Sequence, residues 1–184
     1  MEITIKAGQE LSVEAFGAIL DLDCKIYGNE ILTNQGMALK RFVKFPEGII
    51  AAYTGDVLVG FISFFGVDES VYQRAVSGQE YIDDNLNENE VVPLEKGRDN
   101  HILILDLVVD QSFRHQGISK QLHDHLWVYL RQKQNQGFPI ARVFCFAITT
   151  EGYKSMSNLG GRAIWTRDQI TLFELDKELV LGQL

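Results

Sequence analysis

Proline and cysteine are both scarce in this chain of 184 residues, which has three prolines and two cysteines. So few prolines exclude a polyproline or collagen-like architecture. The cysteines, Cys24 and Cys145, lie far apart in apolar surroundings. They form no disulfide framework and are expected to be buried free thiols. The four histidines and two cysteines show no metal-ligand spacing, so no metal is expected. No apolar run is long enough to span a bilayer, and no signal-peptide pattern stands at the start, so a cytoplasmic protein with no membrane partner is expected. Positive charge is also in deficit. Seventeen Lys and Arg face 25 Asp and Glu, a net charge of -8, which argues against nucleic acid as a partner. No internal repeat or low-complexity tract is apparent.

Apolar residues are plentiful, at 46% of the chain, enough for the core of one domain over residues 1–184. The most informative stretch is 102–121, ILILDLVVDQSFRHQGISKQ. Its first eight residues read as a buried strand. A polar turn follows, and then a helical pattern with Ile118, Leu122, Leu126, Tyr129 and Leu130 on one face. A strand, a turn of small residues and a helix N-terminus aim several backbone N–H groups at one point, which suits an anion. Gly117 permits close approach of the backbone, and Arg114 adds a forked cation suited to phosphate. The expected ligand is a diphosphate.

Elsewhere the pattern is regular. ITIK at 3–6 is a short strand, and 11–27 is a helix that Gly28 stops. A second or broken helix covers 29–45. Residues 48–53 and 57–67 form a hairpin around Thr54-Gly55-Asp56. ARVFCFAI at 141–148 is a buried strand, expected to run parallel to 102–109 because a helix separates the two. Thr149-Thr150 caps a short helix, and a hairpin over 162–175 closes the chain.

Segment 68–100 breaks this pattern, with nine acidic residues against three basic. It is expected to be an insertion with a short helix near 71–85. It acts either as a solvated loop or as an acidic lid whose field, through Asp83, Asp84, Glu88 and Glu90, attracts a cationic partner.

Arg114-x-x-Gly117-x-Ser119 after a strand resembles the acyl-CoA loop of the GCN5-related N-acetyltransferase (GNAT) superfamily, with Ser119 where the family prefers Gly or Ala. The order of elements, β-α-α-β-β-β-α-β-α-β-β, is similar to that fold over nearly all the chain. The resemblance implies an α/β (α+β) fold, a mixed sheet of about seven strands flanked by about four helices. It also implies N-acyl transfer, chiefly from acetyl-CoA, to a small-molecule or peptide amine. Arg114, His115, Gln116, Gly117, Ile118 and Ser119 would hold the diphosphate, and the backbone of Leu107, Val108 and Val109 would pair with the pantetheine arm. Thr149 falls where the family often has Asn at a strand end. The family's usual Tyr position falls on Met156, which cannot protonate a thiolate.

Two residues carry the expected chemistry. Asp106 inside ILILDLVV is costly unless paired, hydrated or functional. It is either a base for the attacking amine or a structural acid, and strand alternation puts it on the side of Ile104 and Val108, opposite Leu107 and Val109. Tyr153 is either a proton donor to the leaving thiol or a packing residue. His101 could relay a proton. Non-catalytic acyl-CoA binding, or docking of a basic protein on the insertion, remain as alternatives. The closing hairpin offers an edge for a homodimer.

Overall fold

The computed structural model describes residues 2–28, 35–83 and 85–182. Positions 29–34 of the expected second helix, and Asp84, lie outside the described residues. The architecture is a seven-stranded mixed sheet with helices on both faces. Its strands are β1 (Thr4–Ala7), β2 (Ile49–Thr54), β3 (Val57–Val67), β4 (Asn100–Val109), β5 (Ile140–Ala147), β6 (Arg162–Arg167) and β7 (Ile170–Glu174). They lie in the order β1-β2-β3-β4-β5-β7-β6. Every neighbouring pair is antiparallel except β4 and β5, which run parallel as expected.

Among the described residues three α-helices precede β4: α1 (Val13–Tyr27), α2 (Gln35–Lys44) and α3 (Glu69–Val76). Three follow it: α4 (Ile118–Asn135), α5 (Thr150–Asn158) and the short α6 (Lys177–Leu181). Ser12 caps α1, its Oγ accepting from Ala15 N–H at 3.2 Å, and Gly28 ends that helix at φ 84°. Alternation along β2 shows how the layers divide. Ile49, Ala51 and Tyr53 pack under α1 and α2 with Phe16, Ile19 and Phe42. Ile50 and Ala52 point the other way and join the core of α4. With both faces covered, the strands read as continuous apolar runs.

Segment 68–100 is a packed lobe rather than a solvated loop. Val71, Ala75, Ile82, Leu86 and Val91 are buried. Trp165 Nε1 donates to Ala75 O at 2.8 Å, Arg167 to Gly78 O at 2.8 Å, and Arg41 to Leu86 O at 2.8 Å. Its helix, α3, is shorter than 71–85 and begins earlier, because Asp68 caps it through Ser70 N–H at 2.8 Å. Cys145 is buried, whereas Cys24 is half-buried, on the margin of α1.

Helix α4 fixes the central strands through a stripe of Ile118, Leu122, Leu126 and Leu130, none more than 1% exposed. Leu122→Ala should leave a cavity there and cost about 2–5 kcal/mol of stability. Urea unfolding followed by circular dichroism measures it, and a loss under about 1 kcal/mol would contradict this packing.

Candidate active site

Strands β4 and β5 pair only as far as Ile104 and Cys145. Beyond that point β4 stays with β3, while β5 stays with β7. The split opens a cavity of about 480 Å³, lined by β4 from Ile104 to Val109, by the loop after β4, by Cys145 to Thr149, and by one side of α5. Tyr27 from α1 and Tyr81 to Asp83 from the lobe complete the wall.

A bulge sets the local geometry of β4. Ser63 pairs with Asp106 while Phe64 pairs with Ile104, so Leu105 is the extra residue. Directly paired residues share a face, and Ser63 and Phe64 face opposite ways. Asp106 therefore shares a side with Val108, as expected, and that side faces α1, but it lies opposite Ile104, which is a correction to simple alternation. Asp110 N–H donates to Val59 O at 2.9 Å, so the backbone groups of 106, 108 and 110 point at β3. Those of Leu107 and Val109 point into the gap. Val108 therefore lines the cavity but has no backbone edge to offer, unlike the three-residue edge expected.

The loop after β4 makes the other end of the cavity. Asp110 is buried and accepts from Ser112 N–H at 2.9 Å and from Lys25 Nζ of α1 at 2.6 Å. The Lys25 hydrogen bond, then that from Ser112, holds its carboxyl below the usual range. His115 (φ 63°) and Gly117 (φ 76°) are both left-handed, which turns the chain tightly into α4. Gly117 is the N-cap and brings no side-chain cap, and no acidic residue stands in the first turn. Nothing lies within 4 Å of the place a Gly117 Cβ would occupy. Arg114, His115, Gly117, Ile118 and Ser119 line the cavity. Exposed Gln116 is not part of the lining, and Arg114 Nε donates to Val109 O at 3.5 Å. Thr149 lines the cavity, with its Oγ1 accepting from Gly152 N–H at 3.0 Å as the cap of α5.

Asp106 is half-buried at the bulge, with Ser63 Oγ donating to its Oδ2 at 2.8 Å. Burial pushes its carboxyl up to about 8, helped by the negative Asp23 and Asp83, while Ser63 and Arg41 oppose the rise. Asp83 lines the cavity and accepts from Tyr81 O–H at 2.7 Å. Tyr27 O–H donates to Leu107 O at 3.4 Å.

Two expected residues fall elsewhere. Tyr153 is 45% exposed, packs edge-on against Phe173 and does not line the cavity, because three residues back on α5 turns it off the face that carries Gly152, Ser155 and Met156. His101 stands at the opposite end of β4, in a separate cleft of about 590 Å³, stacked on Tyr72, too far along the strand to relay a proton. The polar cavity residues that sequence reasoning missed are Tyr27, Tyr81, Glu151 and Ser155. Nothing in their local sequence marks them, since each reaches the cavity through the packing of α1, the lobe or α5.

The chain matches the model of the acetyltransferase (GNAT) family over residues 18–144. It belongs to that family. Solved structures agree on the fold of this GNAT chain at low identity. The loading GNATL domain of CurA from Lyngbya majuscula matches with a TM-score of 0.68 at 10% identity, over 96% of this chain and 98% of that one. Naa50 from Arabidopsis thaliana, solved with the bisubstrate analogue CoA-Ac-MVNAL, matches with a TM-score of 0.62 at 12% identity, over 96% and 99%. PH1933 from Pyrococcus horikoshii OT3 matches with a TM-score of 0.61 at 16% identity, over 96% and 99%. No match is found among the curated proteins. Among the described residues no group of side chains suits a metal, and no helix is long and apolar enough to cross a membrane.

The raised carboxyl of Asp106 makes a stability prediction. An unfolded Asp releases its proton near pH 4, whereas the folded one keeps it to about 8. Between those values the unfolded state binds fewer protons, so this group lowers stability progressively as pH rises. Asp106→Asn should therefore raise Tm at pH 8.5 and change it little at pH 4.5. Equal shifts at the two pH values in calorimetry would contradict the burial.

Proposed function

We propose that this GNAT chain is an acetyl-CoA-dependent N-acetyltransferase acting on a primary amine. The observation that carries the reading is the open edge of Leu107 and Val109, flanked by an uncapped helix N-terminus at one end and the Asp106 carboxyl at the other. The N–H groups at the start of α4, with Arg114, suit the diphosphate of coenzyme A. The free backbone edge suits the amides of a pantetheine arm, paired as an added strand. A thioester at the Leu107 end would then lie beside Asp106.

The amine nitrogen attacks the thioester carbon directly, its proton passes to Asp106 directly or through a water, and coenzyme A leaves as the thiolate, which solvent then protonates. A carboxyl near 8 is a far stronger base than an ordinary carboxylate, which fits this task. Asp83 on the wall, and Asp106 once it has ionised, favour an acceptor that arrives as an ammonium ion. Small cationic amines and peptide N-termini both meet that description. The wider acidic field expected of the lobe plays little part here. Glu88 is paired with Lys40 at 3.2 Å, Glu90 with Arg74 at 2.6 Å and Glu80 with Arg74 at 2.9 Å.

Non-catalytic acyl-CoA binding is the second reading. The position of Tyr153 outside the cavity favours it, since α5 then brings no phenol to the thiol. Thiol release with a panel of amines, beside calorimetric binding of acetyl-CoA, separates the two. Binding with turnover supports the enzyme, and binding without turnover supports the module.

Two substitutions test the parts. Gly117→Asp places a carboxylate where a phosphate would sit and should weaken acetyl-CoA binding by about 100-fold or more, roughly 2.7 kcal/mol. Unchanged affinity in the folded variant would remove the loop from the site. Asp106→Asn should lower kcat/KM by about 10²–10⁴-fold near pH 8 while acetyl-CoA still binds. The wild-type rate should rise with pH through about 8 as Asp106 ionises. The variant should lose that limb, and an unaltered rate and profile would make Asp106 structural.

A further inference from the structure

The cavity holds a phenol that the proposed chemistry has not yet used. Tyr27 is the last residue of α1, and its helix is fastened to the end of β4 by the ion pair of Lys25 with Asp110 at 2.6 Å. This anchor holds the Tyr27 ring over the split edge of β4, within the cavity wall. Its hydroxyl donates to Leu107 O at 3.4 Å, well beyond the roughly 2.7–2.8 Å preferred by O–H···O bonds. A bond so long is weak and readily exchanged for a better acceptor. Leu107 also directs its N–H to the same gap, so both donors face the cavity where the strand edge is open.

We infer that Tyr27 is a catalytic hydrogen-bond donor, which together with Leu107 N–H holds the thioester carbonyl oxygen of the bound acyl-CoA. The inference rests on the acetyltransferase reading of the cavity. As the amine nitrogen bonds to the carbonyl carbon, the C=O π pair moves onto oxygen. That oxygen accepts from Tyr27 O–H and Leu107 N–H. When the pair returns, the C–S bond breaks, the sulfur leaves with its electrons, and the amine proton goes to Asp106. Tyr27 keeps its own proton throughout. Burial first, then the negative Asp106 and Asp23, push its phenol up to about 12, with Arg114 opposing. It is therefore a donor over the whole working pH range, and preorganised donors of this kind are among the largest contributors to acyl-transfer rates.

The inference differs from a proton-donor role for Tyr153. A phenol that only donates a hydrogen bond adds no limb to the pH profile, and it acts before any acceptor is present. The test uses acetyl-CoA labelled with ¹³C at the thioester carbonyl and infrared difference spectra of its binary complexes. The wild-type complex should show the carbonyl band shifted to lower frequency than free acetyl-CoA. Tyr27→Phe should reverse part of that shift, and Asp106→Asn should retain it. With an amine that turns over, Tyr27→Phe should lower kcat by about 10²-fold. Its KM for acetyl-CoA should be little changed, and the rising limb near pH 8 should stay in place. Equal carbonyl bands in wild type and Tyr27→Phe, with both proteins folded and saturated, would overturn the role of Tyr27 and leave the acetyltransferase reading standing. Failure of the wild type to bind acetyl-CoA would overturn both.

Discussion

The parting of β4 from β5 beyond Ile104 and Cys145 governs the rest of the molecule. A buried sheet normally satisfies every backbone donor and acceptor, and leaving some open in a cavity costs free energy unless something else meets them. Here β4, bulged at Leu105, stays paired with β3, while β7 holds β5 in its own course. Two carbonyls on the open edge receive long hydrogen bonds, Leu107 O from Tyr27 and Val109 O from Arg114. The edge is thus kept in strand geometry without being closed, which is what a ligand that adds a strand requires.

The same bulge decides the electrostatics. It sends Asp106 toward α1, among groups that include Asp23 and Asp83, rather than toward the apolar face beneath α4. Its desolvation is a cost to the folded state at neutral pH. Asp110, four residues on, shows the opposite arrangement. Paired with Lys25 and bonded to Ser112, it stays ionised and pins the turn that leads into α4. Two aspartates on one short stretch therefore do different work, set by whether a cation stands beside them.

The lobe of residues 68–100 shows how charge can mislead when counted along a sequence. Most of its carboxylates neutralise nearby cations or cap turns, as Glu90 does for Arg74 and Asp68 for α3. Its lasting contribution to the cavity is a wall of Tyr81, Ile82 and Asp83, which follows the Ala75 and Gly78 carbonyls that Trp165 and Arg167 of β6 bond.

Local pattern along the chain was enough for the order of the main elements, the parallel pair β4 and β5 and the loop from Arg114 to Ser119, but not for the closing helix α6. Apolar runs, turn residues and a glycine before an amphipathic helix act within a few residues of one another. The family match over residues 18–144 accords with that reading. Packing in three dimensions settled which side of β4 carries Asp106, because a bulge is set by pairing with Ser63 and Phe64, some forty residues away. It alone moved Tyr153 and His101 out of the cavity and brought in Tyr27 and Tyr81. Those placements follow from how helices and a lobe dock on the sheet. A tyrosine at the end of an amphipathic helix looks the same in sequence whether it faces solvent or a split between two strands.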